Sequence, residues 1–542
     1  MADETYDAIV IGGGAKGLIT AMYLAKYGGM DVAIFERRHE AGGGWCTDEM
    51  AAPGFLADYH CNAVRPHYHL PTERDFPEWT GEYRQMTKHI DGHLGIGAIF
   101  KEDHSSIIAY GLKDDPTQER TAKSISEFSP RDGETWMEKV LDLIGVFTPV
   151  FAEWALNPPV PPGELDVLDR LMVDPKFDPS WAGKSLIGVL RDLFESEALI
   201  AMLVRAALSG GRPAGMPGLG VLQLMWTLGI ALQLQNVRGG THNYAHAAVK
   251  IFLANGGKMF TRHPIEKVTI ENGTATGVRL TDGTEVKARK LVLSTLDPYS
   301  LCFRLIGRDY FNGQLLRRVE HLERRIACIA WYTWALKDPP DYAAAVSNPD
   351  LNDVDAICLI SKDPEATLRE TNLRMAGIMP SQLQLACFGA GATDKTRVPE
   401  GKTSLMTEQF VLPANCLSEE QWLEFKKSHA EAVIKHWQEF APNMNWDNVI
   451  GYASITPYDV ARSLPNMAPE GNWAVIDNIP GQIGKFRPIP ELARHKTPIK
   501  NLYATGSAWH PVGCGAAWQG YNCYKIIADD LGLGKPWEGL PW

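Results

Sequence analysis

Residues 7–11 (DAIVI) form an unbroken apolar run that stops at glycines. Such a run is the pattern of a short strand buried on both faces of a parallel sheet. Residues 18–27 follow with apolar positions at helical spacing, and 31–35 (DVAIF) form a second short apolar run. Strand, helix and strand in this order predict a βαβ unit, the usual opening of a doubly wound α/β fold.

Two further blocks have the same character. In 238–307, a helical stretch over 243–255 ends at Gly256-Gly257, where glycine suits the left-handed C-cap. Strands are predicted over 259–261, 265–270, 276–280 and 291–293, with hairpin turns at Glu271-Asn272-Gly273 and Thr281-Asp282-Gly283. In 501–531, a strand over 502–505 leads through a glycine-rich turn into a helix over 516–531. The regions between carry mixed patterns, many prolines and most of the 16 tryptophans, with no internal repeat. The predicted fold class is α/β. A Rossmann-type dinucleotide-binding domain is assembled from three chain segments, 1–70, 236–308 and 490–542. An inserted α+β substrate domain is built from 71–235 and 309–489.

Composition narrows the function. A net charge of −12 over 542 residues argues against a general nucleic-acid binder, which needs a basic surface. The nine cysteines include no CxxC pair, so neither a disulfide framework nor a zinc site is expected, and no metal is assigned. Scattered buried thiols fit a reducing cytosol, and the N-terminal residues show no secretory pattern. A cytoplasmic protein is the expectation. The apolar stretch 218–234 is interrupted by Gln223 and reads as a buried helix rather than a membrane span. With 143–156, it is a candidate for a tunnel wall or for peripheral contact with a bilayer.

The first chemical motif is Gly12-Gly13-Gly14-Ala15-Lys16-Gly17, a GxGxxG between the first strand and the first helix. Gly12 permits the tight turn, Gly14 lets a pyrophosphate approach the backbone, and Gly17 lets helix and strand pack closely. The helix N-terminus offers free N–H groups to the phosphates. Glu36 ends the second strand, where a carboxylate accepts from ribose hydroxyls. Lys16 reads two ways, as a counter-charge to phosphate or as a solvent-facing helix lysine. Three features favour FAD over NAD: the second glycine cluster Gly42-Gly43-Gly44, the single complete fingerprint, and the turn Gly506…Gly513-Cys514-Gly515 before the last helix. That helix would aim its positive end at the flavin and stabilise the negative charge of its reduced form.

The run Glu36-Arg37-Arg38…Gly42-Gly43-Gly44-Trp45-Cys46-Thr47-Asp48-Glu49…Pro53-Gly54-Phe55…Asp58 resembles the N-terminal signature of phytoene desaturase-like flavoproteins, in particular the branch of desaturase-type carotenoid ketolases. Similar anchors recur at Gly239-Gly240, Gly256-Gly257, Thr276-Gly277-Val278, Asp282-Gly283 and Ser294-Thr295-Leu296-Asp297-Pro298. They recur again at Arg487-Pro488, Thr497-Pro498-Ile499, Leu502-Tyr503 and His510-Pro511. The resemblance implies FAD and a long apolar substrate tunnel. It places Gly12, Gly13, Gly14, Gly17, Glu36, Arg37, Gly43, Gly44, Val268, Gly506 and Gly513 on the cofactor. Trp45, Cys514 and Gly515 are assigned beside them. The chain departs from the family where Ala15-Lys16 replaces a frequent His-Asn, at Gly44-Trp45, and in a C-terminal turn with fewer glycines than usual.

Flavin carries the redox chemistry itself, so no catalytic triad is required. His60 and His510 are the candidate acid or base groups. The plainer alternative is a histidine bonded to backbone in a turn. Trp45, Trp509 and Trp518 are candidate cavity walls, with core packing as the alternative. His67-Tyr68-His69, with His60 and Cys61, fits no standard zinc spacing. Ser294 and Ser507 lack the GxSxG context of a hydrolase.

The reading is an FAD-dependent dehydrogenase or desaturase that oxidises a C–H bond of an apolar small-molecule substrate, terpenoid, carotenoid-like or another lipid, allylic oxidation of a monoterpene included. Its electron acceptor is a quinone, a carrier protein or dioxygen. The alternatives are a redox-neutral isomerase or hydratase, an FAD-binding subunit active only with a partner chain in a homo- or hetero-oligomer, and an amine oxidase.

Overall fold

The computed structural model describes residues 4–61, 68–91, 94–172, 178–233, 235–515 and 517–540. A seven-stranded sheet gathers pieces that are far apart in sequence. Its order is Ile265–Glu271, Thr274–Leu280, Glu285–Ser294, Thr5–Ile11, Val32–Phe35 and Lys258–Phe260, with Leu502–Ala504 also pairing against Glu285–Ser294. Thr5–Ile11 lies parallel to both neighbours, with Ile9 opposite Val292 on one side and Ala33 on the other. Its residues alternate between two hydrophobic clusters. Ala8 and Val10 pack with Leu18, Met22 and Val32, while Ile9 and Ile11 pack with Phe35 and Leu301. A strand covered on both faces needs an apolar residue at nearly every position, which is what 7–11 supplies.

Glu285–Ser294 changes partner along its length. Glu285–Lys287 pairs antiparallel with 277–279, whereas Val292–Ser294 pairs parallel with Leu502–Ala504. The hairpin 265–280 is thereby added at one end, and the C-terminal segment is inserted at the other. The helix Ala15–Lys26 packs beneath the sheet beside the helix Trp518–Leu531 and is buried over almost its whole length.

A second seven-stranded sheet has the order Val449–Ile455, Ile329–Leu336, Thr403–Phe410, Leu385–Phe388, Ala356–Ile360, Ile96–Phe100 and Ser106–Ala109. All pairs are antiparallel except Ala356–Ile360 with Ile96–Phe100. Ile329–Leu336 is buried at every position. Trp334 packs on one face with Trp422 and Trp437 of the helix Glu419–Phe440. Trp446, by contrast, is 39% exposed. No helix among the described residues is long and apolar enough to cross a membrane, and 218–234 contains the short helix Gly220–Leu232.

Two buried arginines lock the segments together. Arg397 Nη1 donates to Asp58 Oδ2 (2.7 Å), and its Nη2 donates to the Val237 carbonyl (2.7 Å). Asp58 Oδ1 also accepts from the Thr241 amide (2.8 Å) and hydroxyl (2.9 Å). Three regions of the chain therefore meet at one carboxylate. Arg487 acts on the C-terminal turn. It donates to the carbonyls of Ala474 (3.0 Å), Ile476 (3.1 Å), Gln482 (2.8 Å) and Ser507 (2.8 Å). Burial pushes this guanidinium down to about 9, and the ring of carbonyl dipoles favours its charged form in the interior.

Candidate functional site

The first strand ends in a loop that accepts no side chain. Gly12 has φ +98° and donates its amide to Phe35 O (2.9 Å). A Cβ there would lie 2.3 Å from Thr295 Oγ1, and a Cβ on Gly17 would lie 2.3 Å from Gly12 O. A second glycine loop faces the first. Gly42 donates to Gly13 O (2.9 Å) and accepts from Ala15 N (3.2 Å). Gly43 has φ +60°, and a Cβ there would lie 3.0 Å from Gly14 Cα. Gly14 is different: a Cβ on it meets no protein atom closer than 3.9 Å. Its bare face opens on a cleft of about 360 Å³, within the ~300–1,000 Å³ range of small-molecule pockets.

At one end of the cleft, Glu36 accepts from the amides of Gly13 (2.8 Å) and Arg38 (2.7 Å). Its carboxylate is thus fixed at the edge of the sheet, with lone pairs left for a diol. Arg37, Arg38 and 264–266 complete this end. Val268 does not line it. Its side chain is 5% exposed and packs in the core with Val278, because alternate residues of a strand point to opposite faces.

At the other end, Gly506, Ser507, Cys514 and Gly515 face Trp45, His60 and Trp473. Trp45 Nε1 donates to Gly515 O (2.9 Å), tying the second glycine loop to the C-terminal turn. Gly513 stands behind this wall, its amide on Asn478 Oδ1 (2.9 Å). Lys16 is not the solvent-facing lysine of the second sequence reading. It is 7% exposed and its ammonium donates to Cys514 O (2.5 Å).

The two histidines separate. His60 lines the cleft, edge-on to Trp331 with ring centroids 5.7 Å apart. Burial, helped by the Arg38 charge, pushes it down to about 4, so it is neutral at pH 7. His510 lies off the cleft, with its Nε2 2.9 Å from Trp154 O and its pKa pushed down to about 4 by burial. Trp509 and Trp518 are also core residues: Trp509 donates to Leu492 O (3.0 Å), and Trp518 packs on Phe151 at 5.3 Å. The geometry is that of a histidine and two tryptophans supporting the turn from behind. Among the described residues no cluster of metal-ligating side chains is present, and His67 lies outside them.

The chemistry of the donors fits FAD. Two glycine faces and a helix N-terminus suit a diphosphate, the fixed Glu36 carboxylate suits a ribose, and an aromatic, largely apolar end suits a tricyclic ring. Sequence reasoning missed Trp473 and Met467, which line the cleft. They come from a region without motifs, and only the tertiary fold brings them here.

Residues 10–78 match the family described as an NAD(P)-binding Rossmann-like domain. Among curated relatives, rat pyridine nucleotide-disulfide oxidoreductase domain-containing protein 2 is 26% identical, covering 97% of this chain and 94% of its own. A limonene dehydrogenase subunit of Castellaniella defragrans is 23% identical, covering 98% and 96%. Hydroxyneurosporene desaturase of Cereibacter sphaeroides is 26% identical over 64% of each chain. The chain is an FAD-dependent oxidoreductase that is similar to phytoene desaturase-like flavoproteins. The fold of this flavoprotein is shared with an oxidoreductase from Methanosarcina mazei, at a TM-score of 0.60 and 17% identity, over 96% of this chain and 99% of that one. FAD supplies the two-electron chemistry when bound. With FAD bound, the glycine loops and Glu36 would hold the dinucleotide, and Trp45 and Trp473 would close the ring end beside a neutral His60.

Proposed function

We propose that the protein is a dehydrogenase or desaturase acting on an apolar, unsaturated substrate of terpenoid, carotenoid-like or other lipid type. With FAD held in the cleft, a substrate C–H bond would give up its hydride to the flavin, and a second hydrogen would be released as a proton, matching the one taken up when a quinone or dioxygen is reduced. The electrons then pass to a quinone, a carrier protein or dioxygen. The observation that carries this reading is the composition of the ring end of the cleft. Trp45, Met467, Trp473 and Val475 wall it, and His60 is the one titratable ring among the described lining residues. Such walls select apolar ligands and exclude water. A base pushed down to about 4 is weak at pH 7, so His60 is a poor group for deprotonating the substrate. In this reading 1–70, 236–308 and 490–542 hold the cofactor, while 71–235 and 309–489 cover the substrate. The relatives named limonene dehydrogenase and hydroxyneurosporene desaturase support the substrate class.

The test is anaerobic absorbance. The purified protein, reconstituted with FAD, is mixed with monoterpenes, carotenoid precursors and unsaturated lipids. Bleaching of the flavin band by a member of this set, reversed by a quinone, is expected. Bleaching by amines alone would replace this reading with an amine oxidase.

A second reading rests on the relative named as one subunit of a limonene dehydrogenase. On this reading the protein turns over only with a partner chain. Flavin bleaching that requires a co-expressed partner would favour it.

A further inference from the structure

The deepest unassigned charge in the cleft is Lys16. It occupies the third variable position of the glycine fingerprint, on the first turn of the helix Ala15–Lys26. Its side chain lines the cleft yet is 7% exposed. Its ammonium donates to Cys514 O at 2.5 Å, and among the described residues it forms no ion pair with a carboxylate. The titratable groups facing it are the thiols of Cys61 and Cys514. Cys61 belongs to the N-terminal segment, and its Sγ lies where a Cβ of Gly515 would fall, 2.3 Å away. An ammonium held out of water with neutral neighbours is strongly disfavoured unless an anion completes the site. Burial accordingly lowers its pKa, an effect that the neighbouring thiols oppose only as thiolates.

The position of this charge along the cleft matters. The diphosphate stretch is marked by the facing glycines Gly14 and Gly43, whose backbones nearly touch. Lys16 reaches past that point to the turn Cys514-Gly515, which Trp45 caps from the opposite loop through the 2.9 Å bond from its Nε1 to Gly515 O. Its ammonium is therefore tied to the wall that closes the ring end.

We propose that Lys16 is the fixed counter-charge for the negative charge the flavin gains on reduction. This rests on the FAD reading of the cleft. A hydride brings two electrons and one proton, so the ring gains one net negative charge, which the Lys16 ammonium would offset. Its contribution therefore favours the reduced over the oxidised cofactor, without any proton moving through the lysine. The C-terminal turn supplies the geometry: the Cys514 carbonyl fixes the ammonium, and Arg487 and Asn478 fix the turn.

The experiment measures the midpoint potential of bound FAD, its binding constant and the stability of a sulfite adduct in the wild type, Lys16→Met, Lys16→Gln and Lys16→Arg. Sulfite adds to the oxidised ring as an anion, so adduct stability reports positive charge at the ring independently of turnover. Lys16→Met and Lys16→Gln are expected to weaken reduced relative to oxidised FAD by about tenfold or more, which is about 30 mV for a two-electron couple. They should weaken the sulfite adduct in the same direction, and Lys16→Arg should restore both. A variant that binds FAD more weakly at unchanged potential would overturn the proposal in favour of a phosphate contact. A normal potential in Lys16→Gln would also overturn it, and would leave the lysine as a tie between helix and turn. Should Lys16→Met fail to fold, the Gln and Arg variants decide alone. A wild type that takes up no FAD would instead refute the cofactor reading itself.

Discussion

Arg397 and Asp58 meet 2.7 Å apart with both side chains almost wholly buried, although they are separated by more than half the chain. Burial opposes the arginine's charge, but the carboxylates of Asp58 and Asp394 outweigh it and hold the guanidinium above its usual range. Removing one partner of such a pair strands the other without water, at a cost of about 3–5 kcal/mol. Asp58→Ala and Arg397→Ala are each expected to lower the denaturation midpoint by that order. The double variant should be less destabilised than the sum of the two. Urea unfolding of all three checks this, and strict additivity would show that the pair is not coupled.

Gly12 and Gly14 should fail differently. At Gly12, φ is +98° and Thr295 stands 2.3 Å from where a Cβ would be, so Gly12→Ala should destabilise the apoprotein by about 1–3 kcal/mol. At Gly14, φ is −69° and the protein leaves room. Gly14→Val should therefore keep apoprotein stability near wild type while abolishing FAD retention. The flavin-to-protein absorbance ratio, read beside a thermal melt without FAD, separates the two effects. Normal flavin content in Gly14→Val would remove this loop from the cofactor site.

Acid should destabilise the protein through its buried histidines. His60, His429 and His510 are pushed down to about 4 and His495 to about 3, all chiefly by burial. An unfolded histidine titrates near 6.5, so between that pH and the folded value the unfolded chain binds more protons. Stability is therefore lost as pH falls below about 6.5, by up to about 1.4 kcal/mol per pH unit for each group. His510→Asn should flatten the dependence between pH 6.5 and 4 by one such increment. Denaturation midpoints at pH 7.5, 6, 5 and 4.5 measure the slope, and an unchanged slope would show that His510 is not buried neutral.

Glu370 gives the opposite sign. Burial, opposed by Arg374 and Arg205, raises its carboxyl to about 7. The folded state prefers the protonated acid, so its contribution is complete below about 4.5 and is lost as pH rises through 7. Glu370→Gln should gain up to about 3 kcal/mol at pH 8 and little at pH 5. A gain of equal size at both pH values would point to packing rather than titration.

How far the site was legible depended on what each residue type constrains. The loop geometry of Gly12 and Gly17 and the place of Gly14 and Glu36 on the cleft were legible because a tight turn and close helix–strand packing each demand one residue type at a fixed spacing. The first strand was legible because burial on two faces leaves no polar positions. Lys16, Val268 and His510 were not. Each lies in a correctly expected element, but the direction of its side chain is set by a partner remote in sequence. Lys16 is covered by a turn 498 residues away, and His510 is held by Trp154 from another domain-sized segment. Trp473 had no local signal, since a tryptophan lining a cavity and one filling a core look alike in sequence.

The strand Leu502–Ala504 lies beside Glu285–Ser294, which in turn lies beside Thr5–Ile11. The sheet beneath the cleft is thus begun by a strand near one end of the sequence and completed by one synthesised far later. During synthesis, the early half must wait with an open edge while the intervening chain is made. An edge left open for that long is exposed to wrong pairing. A truncation before Leu502 would therefore remove both a wall of the cleft and a strand of its floor.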